Sequence, residues 1–419
     1  FSFSCFTGPG NRMFSSRIAK NAPTNALTLA IQRRRDAGAP VFDLTESNPT
    51  RSGIEYDQGA ISRALSQPGI MRYEPHPQGI AAARSAVAGY YRERGVVVDP
   101  DSLVLASGTS EAYGYLFKLL ADPGSDILVP VPGYPLLEVL TSLEAMRLVP
   151  YRSLYSDTEG WQVDLERLAN TVSNRTKAIV VVSPNNPTGA FLKTRELAGM
   201  AELCRRFGLA LIVDEVFSDY ASTPGRAADP QRVISAAGHD EALTFVLNGL
   251  SKIVGLPQLK LAWIHVSGPQ ALKRQAIQGL EFIADAYLSV STPVQLAAEE
   301  ILGQRGAVQR QILPRLQENE SFLKGALRGT AHCRVLAREG GWYAVVRLPK
   351  NASDEEICLT CLEEDGVLVH PGYFYDFPSG NHLVLSLLTP TADFRQGAAR
   401  MAERLARLKA GTPDGIVGA

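Results

Sequence analysis

The feature that most constrains the fold is an alternation of apolar runs with helical periods, which begins at Ser102 and continues to Val266. Seven runs read as strands: 102–106, 126–130, 147–151, 177–182, 210–214, 243–247 and 261–266. Amphipathic stretches fit between most of them, notably 110–121 and 194–207. Buried runs separated by helices predict an α/β fold: a three-layer, doubly wound and mostly parallel sheet of seven strands. The last two strands are joined only by NGLSKIVGLPQLK, which is too short for a helical crossover. Strand 261–266 is therefore expected to be antiparallel.

The flanks of the alternating region read differently. Residues 269–302 are mostly helical, and 309–327 read as one long helix. Short strands 333–337, 341–348, 368–370 and 383–388, with helices 353–365 and 392–409, predict a smaller α+β domain. Upstream, 25–37 reads as a helix capped by Thr24, and 41–45 is extended and leads into Glu46-Ser47-Asn48-Pro49-Thr50. RYEPHPQG then forms a Pro/Gly loop before a helix. The expected organisation is a tail at 1–12, an N-terminal segment at 13–60 packing on the small domain, and a large domain at 61–300. A small domain at 301–410 and a disordered tail at 411–419 complete it.

Composition narrows the function classes. A 419-residue chain that is 45% hydrophobic and 20% charged can bury ample core. A formal net charge of −1 gives no case for nucleic acid or for an anionic membrane. No apolar run approaches the roughly 20 residues of a membrane span. Five cysteines argue against a disulfide framework and fit a reducing, cytoplasmic compartment. Cys358 and Cys361 form a CxxC with no second Cys or His pair beside it, so they read as helix core and no metal is expected. Residues 1–12, FSFSCFTGPGNR, precede Met13 and read as a tail, a translated extension or a cloning remnant. They lack the basic start and unbroken apolar stretch of a secretion signal.

In an open α/β sheet, ligands bind at the carboxyl ends of the strands. Strand 102–106 is followed by SGTSEAY, whose Gly108, Thr109 and Ser110 open a helix and offer N–H groups and hydroxyls to an anion. PVPGYP follows 126–130 and holds Tyr134 between prolines, suited to stacking on a flat ring. SPNNPTGA follows 177–182 and presents the amide of Asn186. Asp214 ends strand 210–214, where a buried carboxylate is costly unless it meets a cation. Lys252, after Ser251, follows 243–247 in a tight loop, where poor solvation would lower its pKa and free its amine. Taken singly, these are a helix cap, a turn tyrosine, a loop amide, a strand-end turn and a surface lysine. Taken together on one edge, they match the phosphate, ring face, phenolic oxygen, ring nitrogen and aldehyde of pyridoxal 5'-phosphate.

The same segments resemble those of the fold-type-I pyridoxal-phosphate enzymes of the class I/II aminotransferase family. SPNNPTG is similar to the family's N-P-x-N-P-T-G loop, DEVFSDY to its D-E-x-Y stretch, PGYP to its stacking segment and SGTSEA to its phosphate loop. LSKIVGLPQLKLAW resembles S-x-S-K…R-x-G-W. RYEPHPQGIAAARSAVAGYY and DGVLVHPGYFYDF extend the likeness, which runs from about Val41 to Arg404.

The resemblance implies a cytosolic, pyridoxal-phosphate-dependent aminotransferase. It would move an amino group between an amino acid or amine and a 2-oxo acid, with a lyase or decarboxylase as the alternative. Lys252 would hold the cofactor as an internal aldimine and later move the substrate proton. Asp214 would pair the ring nitrogen, Asn186 bond the phenolic oxygen and Tyr134 stack on the ring, with Ser251 beside the lysine. Gly108, Thr109 and Ser110 would hold the phosphate. Tyr73 would reach the phosphate of a partner subunit, which implies a homodimer with shared sites, and Ser291-Thr292 would cross the same interface.

Four positions depart from the family pattern. Lys260 stands for a phosphate-binding arginine and lacks its bidentate fork. Gly249 stands for a serine, and Phe217 for the tyrosine that donates to the phenolic oxygen. Val384 stands for the arginine that clamps the substrate carboxylate. Ser47, Asn48 and Arg51, in ESNPTRSG, are the candidate replacements, with Asn186 as a further substrate contact. A DNA-binding regulator built on the same scaffold is disfavoured, because the segment ahead of Glu46 is short for an added domain.

Overall fold

The structure is a computed structural model and describes residues 15, 17–18, 25–223, 229–330 and 332–408. The expected tails at 1–12 and 411–419, and the expected Thr24 cap, lie outside the described residues. Asn25 caps the first helix, Ala26–Asp36, and accepts a hydrogen bond from the Thr28 N–H at 2.7 Å.

The chain divides into two compact units. Among the described residues, the larger comprises those of 48–313 and 338–341, and the smaller those of 15–47, 314–337 and 342–408. These boundaries correct the expected ones at 60/61 and 300/301. Residues 48–60 cluster with the larger unit, where the Tyr56 hydroxyl donates to the Gly255 carbonyl at 2.7 Å. Ile301, Leu302 and Val308 are buried, and the first two belong to that unit's core.

The larger unit is built on an eight-stranded sheet, ordered Leu103–Ala106, Ala262–Ser267, Thr244–Gly249, Ala210–Asp214, Thr176–Val182, Asp126–Val131, Arg147–Ser156 and Gly160–Val163. All seven expected strands are present, and Gly160–Val163 adds an eighth at the edge. Ala262–Ser267 is antiparallel to both its neighbours, as the short lysine loop requires. Gly160–Val163 is also antiparallel, and the other six strands share one direction.

Strand periodicity explains the layering. Leu211, Val213, Ile179, Val181 and Val246 face one apolar layer, together with Met200 and Ala201 of helix Thr194–Phe207. Ala210, Ile212, Ala178, Val180 and Phe245 face the other, with Leu116 and Phe117 of helix Thr109–Leu120. Both faces of the central strands are buried, which is why those strands read as continuous apolar runs.

In the smaller unit a four-stranded antiparallel sheet runs in the order Arg334–Val335, Tyr343–Arg347, His382–Ser386, His370–Pro371. Phe42–Asp43 pairs in parallel with Val367–Leu368, which ties the N-terminal segment to this unit. Val384 sits in the middle strand, paired with Val345 and His370, and is buried.

Candidate active site

Six parallel strands point their carboxyl ends at one edge of the large sheet, and the loops that leave this edge carry the candidate residues. Asp214 is the last residue of its strand, in register with Val182 and Leu247. It is 4% exposed. Burial pushes its carboxyl up to about 6 from the usual 3.8. The Val216 N–H, the Tyr113 hydroxyl and the nearby Lys252 charge all oppose that shift. The two donors take one oxygen each: Val216 N–H to Oδ1 and Tyr113 to Oδ2, both at 3.1 Å.

Glu215, next in sequence, serves a different purpose. Its carboxylate accepts from Ser235 Oγ and the Ala236 N–H, both at 2.7 Å, and Arg94 interacts with it electrostatically. The two neighbouring carboxylates thus meet different partners.

Lys252 lies in a one-turn helix, Leu250–Ile253, at the end of strand Thr244–Gly249. So short a helix offers few internal donors to its carbonyls. The Gly255 N–H donates to the Lys252 carbonyl at 3.2 Å and the Val254 N–H to the Leu250 carbonyl at 3.3 Å, and side chains add to them. Tyr220 OH donates to the Lys252 carbonyl at 2.6 Å, Gln309 Nε2 to the Ile253 carbonyl at 3.2 Å, and Tyr56 OH to the Gly255 carbonyl at 2.7 Å. The ammonium is drawn down to about 8 from 10.5, chiefly by desolvation, with Asp214 opposing. Its Nζ lies 5.4 Å from the ring centroid of buried Phe217. A lysine with this affinity holds about a tenth of its amine free at pH 7, the form that attacks a carbonyl, against well under a hundredth for an ordinary lysine.

The expected anion cradle, Gly108–Ser110, lies where helix Thr109–Leu120 begins. Gly108 occupies the cap position, and a side-chain carbon there would sit 3.1 Å from Lys260 Nζ. Thus the structure brings Lys260 to the Gly108–Ser110 turn, adding a full positive charge to the helix terminus. Lys260 has φ 55°, a left-handed conformation that costs energy in a residue with a side chain. Ser251 precedes the lysine and is partly buried. Gly249 has a packing explanation. A Cβ there would stand 2.8 Å from the Ala262 Cβ and 2.9 Å from the Leu261 carbonyl oxygen, so the neighbouring strand leaves no room for a serine.

Tyr134 follows strand Asp126–Val131, is partly buried and interacts electrostatically with Tyr113. Asn186 is buried, and its Oδ1 has no hydrogen-bond partner among the described residues. A buried amide atom left unmatched is costly unless a ligand meets it. Its neighbour Asn185 has a structural role instead, since Oδ1 accepts from Thr188 N–H and Oγ1 at 3.3 and 3.0 Å.

Tyr73 is 76% exposed and lines a surface depression with Glu74, His76, Tyr115 and Thr292. Asn48 caps the turn Pro49–Arg51, accepting from the Thr50 N–H and hydroxyl at 3.1 and 2.8 Å. Arg51 is exposed in the larger unit, whereas Ser47 belongs to the smaller one.

Sequence reasoning missed Tyr113, Tyr220, Tyr56 and Gln309. For Tyr113 a signal existed, because it lies four residues after Thr109 and so on the same helix face. The other three act from distant segments, and no local pattern marks them.

Known proteins resemble this chain in sequence and fold. The model of the family described as aminotransferase class I and II matches residues 41–400. An alanine aminotransferase of Mycobacterium tuberculosis is 30% identical over 377 residues, which span 87% of this chain and 85% of that protein. A glutamate-pyruvate aminotransferase of Escherichia coli is 25% identical, spanning 89% of this chain and 92% of its own. The crystal structure of an aminotransferase from Escherichia coli superimposes with a TM-score of 0.82 at 24% identity, covering 94% of this chain and 98% of the other. These relatives are named for amino transfer, not for the lyase or decarboxylase alternative. The chain belongs to the aminotransferase class I and II family, and it is an aminotransferase.

Proposed function

We propose that this aminotransferase works with pyridoxal 5'-phosphate attached to Lys252. In this reading it moves an amino group between an amino acid, or an amine, and a 2-oxo acid. The observation that carries the reading is the buried Asp214 carboxylate interacting with the depressed amine of partly buried Lys252. The unmatched Oδ1 of Asn186 and the Lys260 charge at the Gly108 turn fit the phenolic-oxygen and phosphate ends of the same group.

Asp214 would hold the ring nitrogen and Asn186 the phenolic oxygen. Tyr134 would cover one ring face. Gly108, Thr109, Ser110 and Lys260 would hold the phosphate, with Ser251 close by. When bound, pyridoxal phosphate supplies the carbonyl that takes the amino group and the ring that accepts the electron pair. Lys252 then accepts and returns a proton at Nζ, a task suited to a group with affinity near pH 8. Phe217 lies beside that lysine and offers no hydroxyl donor.

The relatives named for alanine and for glutamate and pyruvate make those pairs the first substrates to assay. Arg51, Ser47 and Asn48 remain the candidates for the substrate carboxylate, since Val384 carries no charge. A homodimer with Tyr73 in the partner's site is supported by exposed apolar side chains on the larger unit, with Phe282 83% exposed and Met71, Tyr73 and Tyr287 also open. Free Cys204, Cys333, Cys358 and Cys361 support a reducing, cytoplasmic location. Among the described residues no helix is long and apolar enough to cross a membrane.

The test is a transamination assay of protein supplied with pyridoxal phosphate, pairing alanine or glutamate with pyruvate or 2-oxoglutarate. Amino-acid turnover that falls on Arg51→Ala through a raised KM supports the substrate assignment. Turnover of simple amines only would move the substrate out of the amino-acid class.

A further inference from the structure

We propose that Tyr113 is a positioning residue for the reaction, whose hydroxyl keeps Asp214 ionised and fixed in orientation for the cofactor's ring nitrogen. The proposal rests on the reading in which Asp214 holds that nitrogen.

Tyr113 is buried and donates to Asp214 Oδ2 at 3.1 Å, while the Val216 N–H takes Oδ1. One donor per oxygen fixes the plane of the carboxylate. A carboxyl buried without donors would take up a proton instead, because burial penalises the charged form. The groups acting on Asp214 are the Tyr113 hydroxyl, the Val216 N–H and Lys252. Glu215, the next residue after the strand, is engaged by Ser235 and Ala236. Burial, reinforced by Asp214 itself, holds the Tyr113 phenol well above its usual range, so it stays a donor at every working pH.

The placement within the helix adds a geometric consequence. Thr109 and Tyr113 stand one turn apart on helix Thr109–Leu120, a rise of about 6 Å. A single element thus carries the anion cradle at its first residue and the Asp214 donor one turn later. It sets the spacing between the two ends of the site.

A purely structural role would be to fill space against Phe117, whose ring centroid is 5.7 Å away. Tyr113→Phe keeps that packing and removes only the donor. Tyr151→Phe is the comparison, because Tyr151 is equally buried but donates to the Val180 carbonyl at 2.7 Å.

The first measurement is an infrared titration of the Asp214 carboxyl in cofactor-free protein, assigned with Asp214→Asn. The second is the affinity for pyridoxal phosphate, followed by absorbance. Tyr113→Phe is expected to raise the Asp214 midpoint by about one pH unit and to weaken cofactor binding by about twofold at pH 7 and by nearly tenfold at pH 5. Tyr151→Phe is expected to leave both unchanged while lowering the unfolding midpoint. If wild type binds pyridoxal phosphate and Tyr113→Phe matches it in both measurements, the role of Tyr113 is overturned. It is also overturned if Tyr151→Phe moves both as far. A wild type that takes up no pyridoxal phosphate overturns the cofactor reading, and with it this role, whatever the titration shows.

Discussion

Asp214 and Lys252 each sit in a protonation state that the fold penalises, and the penalty has a measurable sign. The Asp214 carboxyl ionises at about 6 in the folded chain, against 3.8 ordinarily. Between those values the folded state binds more protons than the unfolded one, so this group's contribution to stability falls as pH rises through the window. Above pH 6 the cost is on the order of 3 kcal/mol. Asp214→Asn is therefore expected to stabilise the cofactor-free protein at pH 8, by up to about that amount, and by about half as much at pH 5. Denaturant unfolding at the two pH values checks this, and equal effects at both would contradict it. Such a cost belongs to a functional site rather than a structural one. Legibility in the sequence follows the same division. Lys252, Asp214 and Asn186 stand in local motifs whose order along the chain maps onto one sheet edge, so their types and positions were readable. Tyr113 and Tyr220 matter for the partners that their hydroxyls meet after folding, Asp214 Oδ2 and the Lys252 carbonyl. No spacing rule identifies those partners.

The strand and turn that present Lys252 are held by close packing on one side and side-chain donors on the other. At Gly249 the close approach of Ala262 excludes a side chain. Gly249→Ser is expected to destabilise the protein by about 1–3 kcal/mol, the usual cost of overpacking, and to lower cofactor occupancy by displacing the Lys252 turn. A melting temperature equal to wild type, with full occupancy, would show that the neighbouring strand yields freely. The strands themselves were largely legible, because both faces of the parallel ones are buried and so appear as unbroken apolar runs. Gly160–Val163 escaped notice because it has only four residues, three of them partly exposed, at the sheet edge. Helix Gln58–Leu65 also escaped, since a single buried Ala64 gives it too little apolar pattern to read. The antiparallel direction of Ala262–Ser267 was readable from loop length alone.

For the whole molecule, the exposed Met71, Tyr73, Phe282 and Tyr287 lead to a prediction about assembly. Sedimentation of the protein is expected to give about twice the 45.3 kDa chain mass, and Phe282→Asp to shift it toward the monomer. A wild type that sediments as a monomer at micromolar concentration would contradict the proposed shared sites. The unit boundaries were the least legible feature at this scale. Residues 48–60 join the larger unit through single long-range hydrogen bonds such as Tyr56 to Gly255, which composition does not reveal. The central claim is that the amine of Lys252 carries the cofactor, and its most direct test is chemical. Protein loaded with pyridoxal phosphate is reduced with borohydride, digested and sequenced by mass spectrometry. The account predicts one phosphopyridoxyl increment, on the peptide containing Lys252, and none in Lys252→Ala. An increment on any other lysine, or no increment in the wild type, would contradict it.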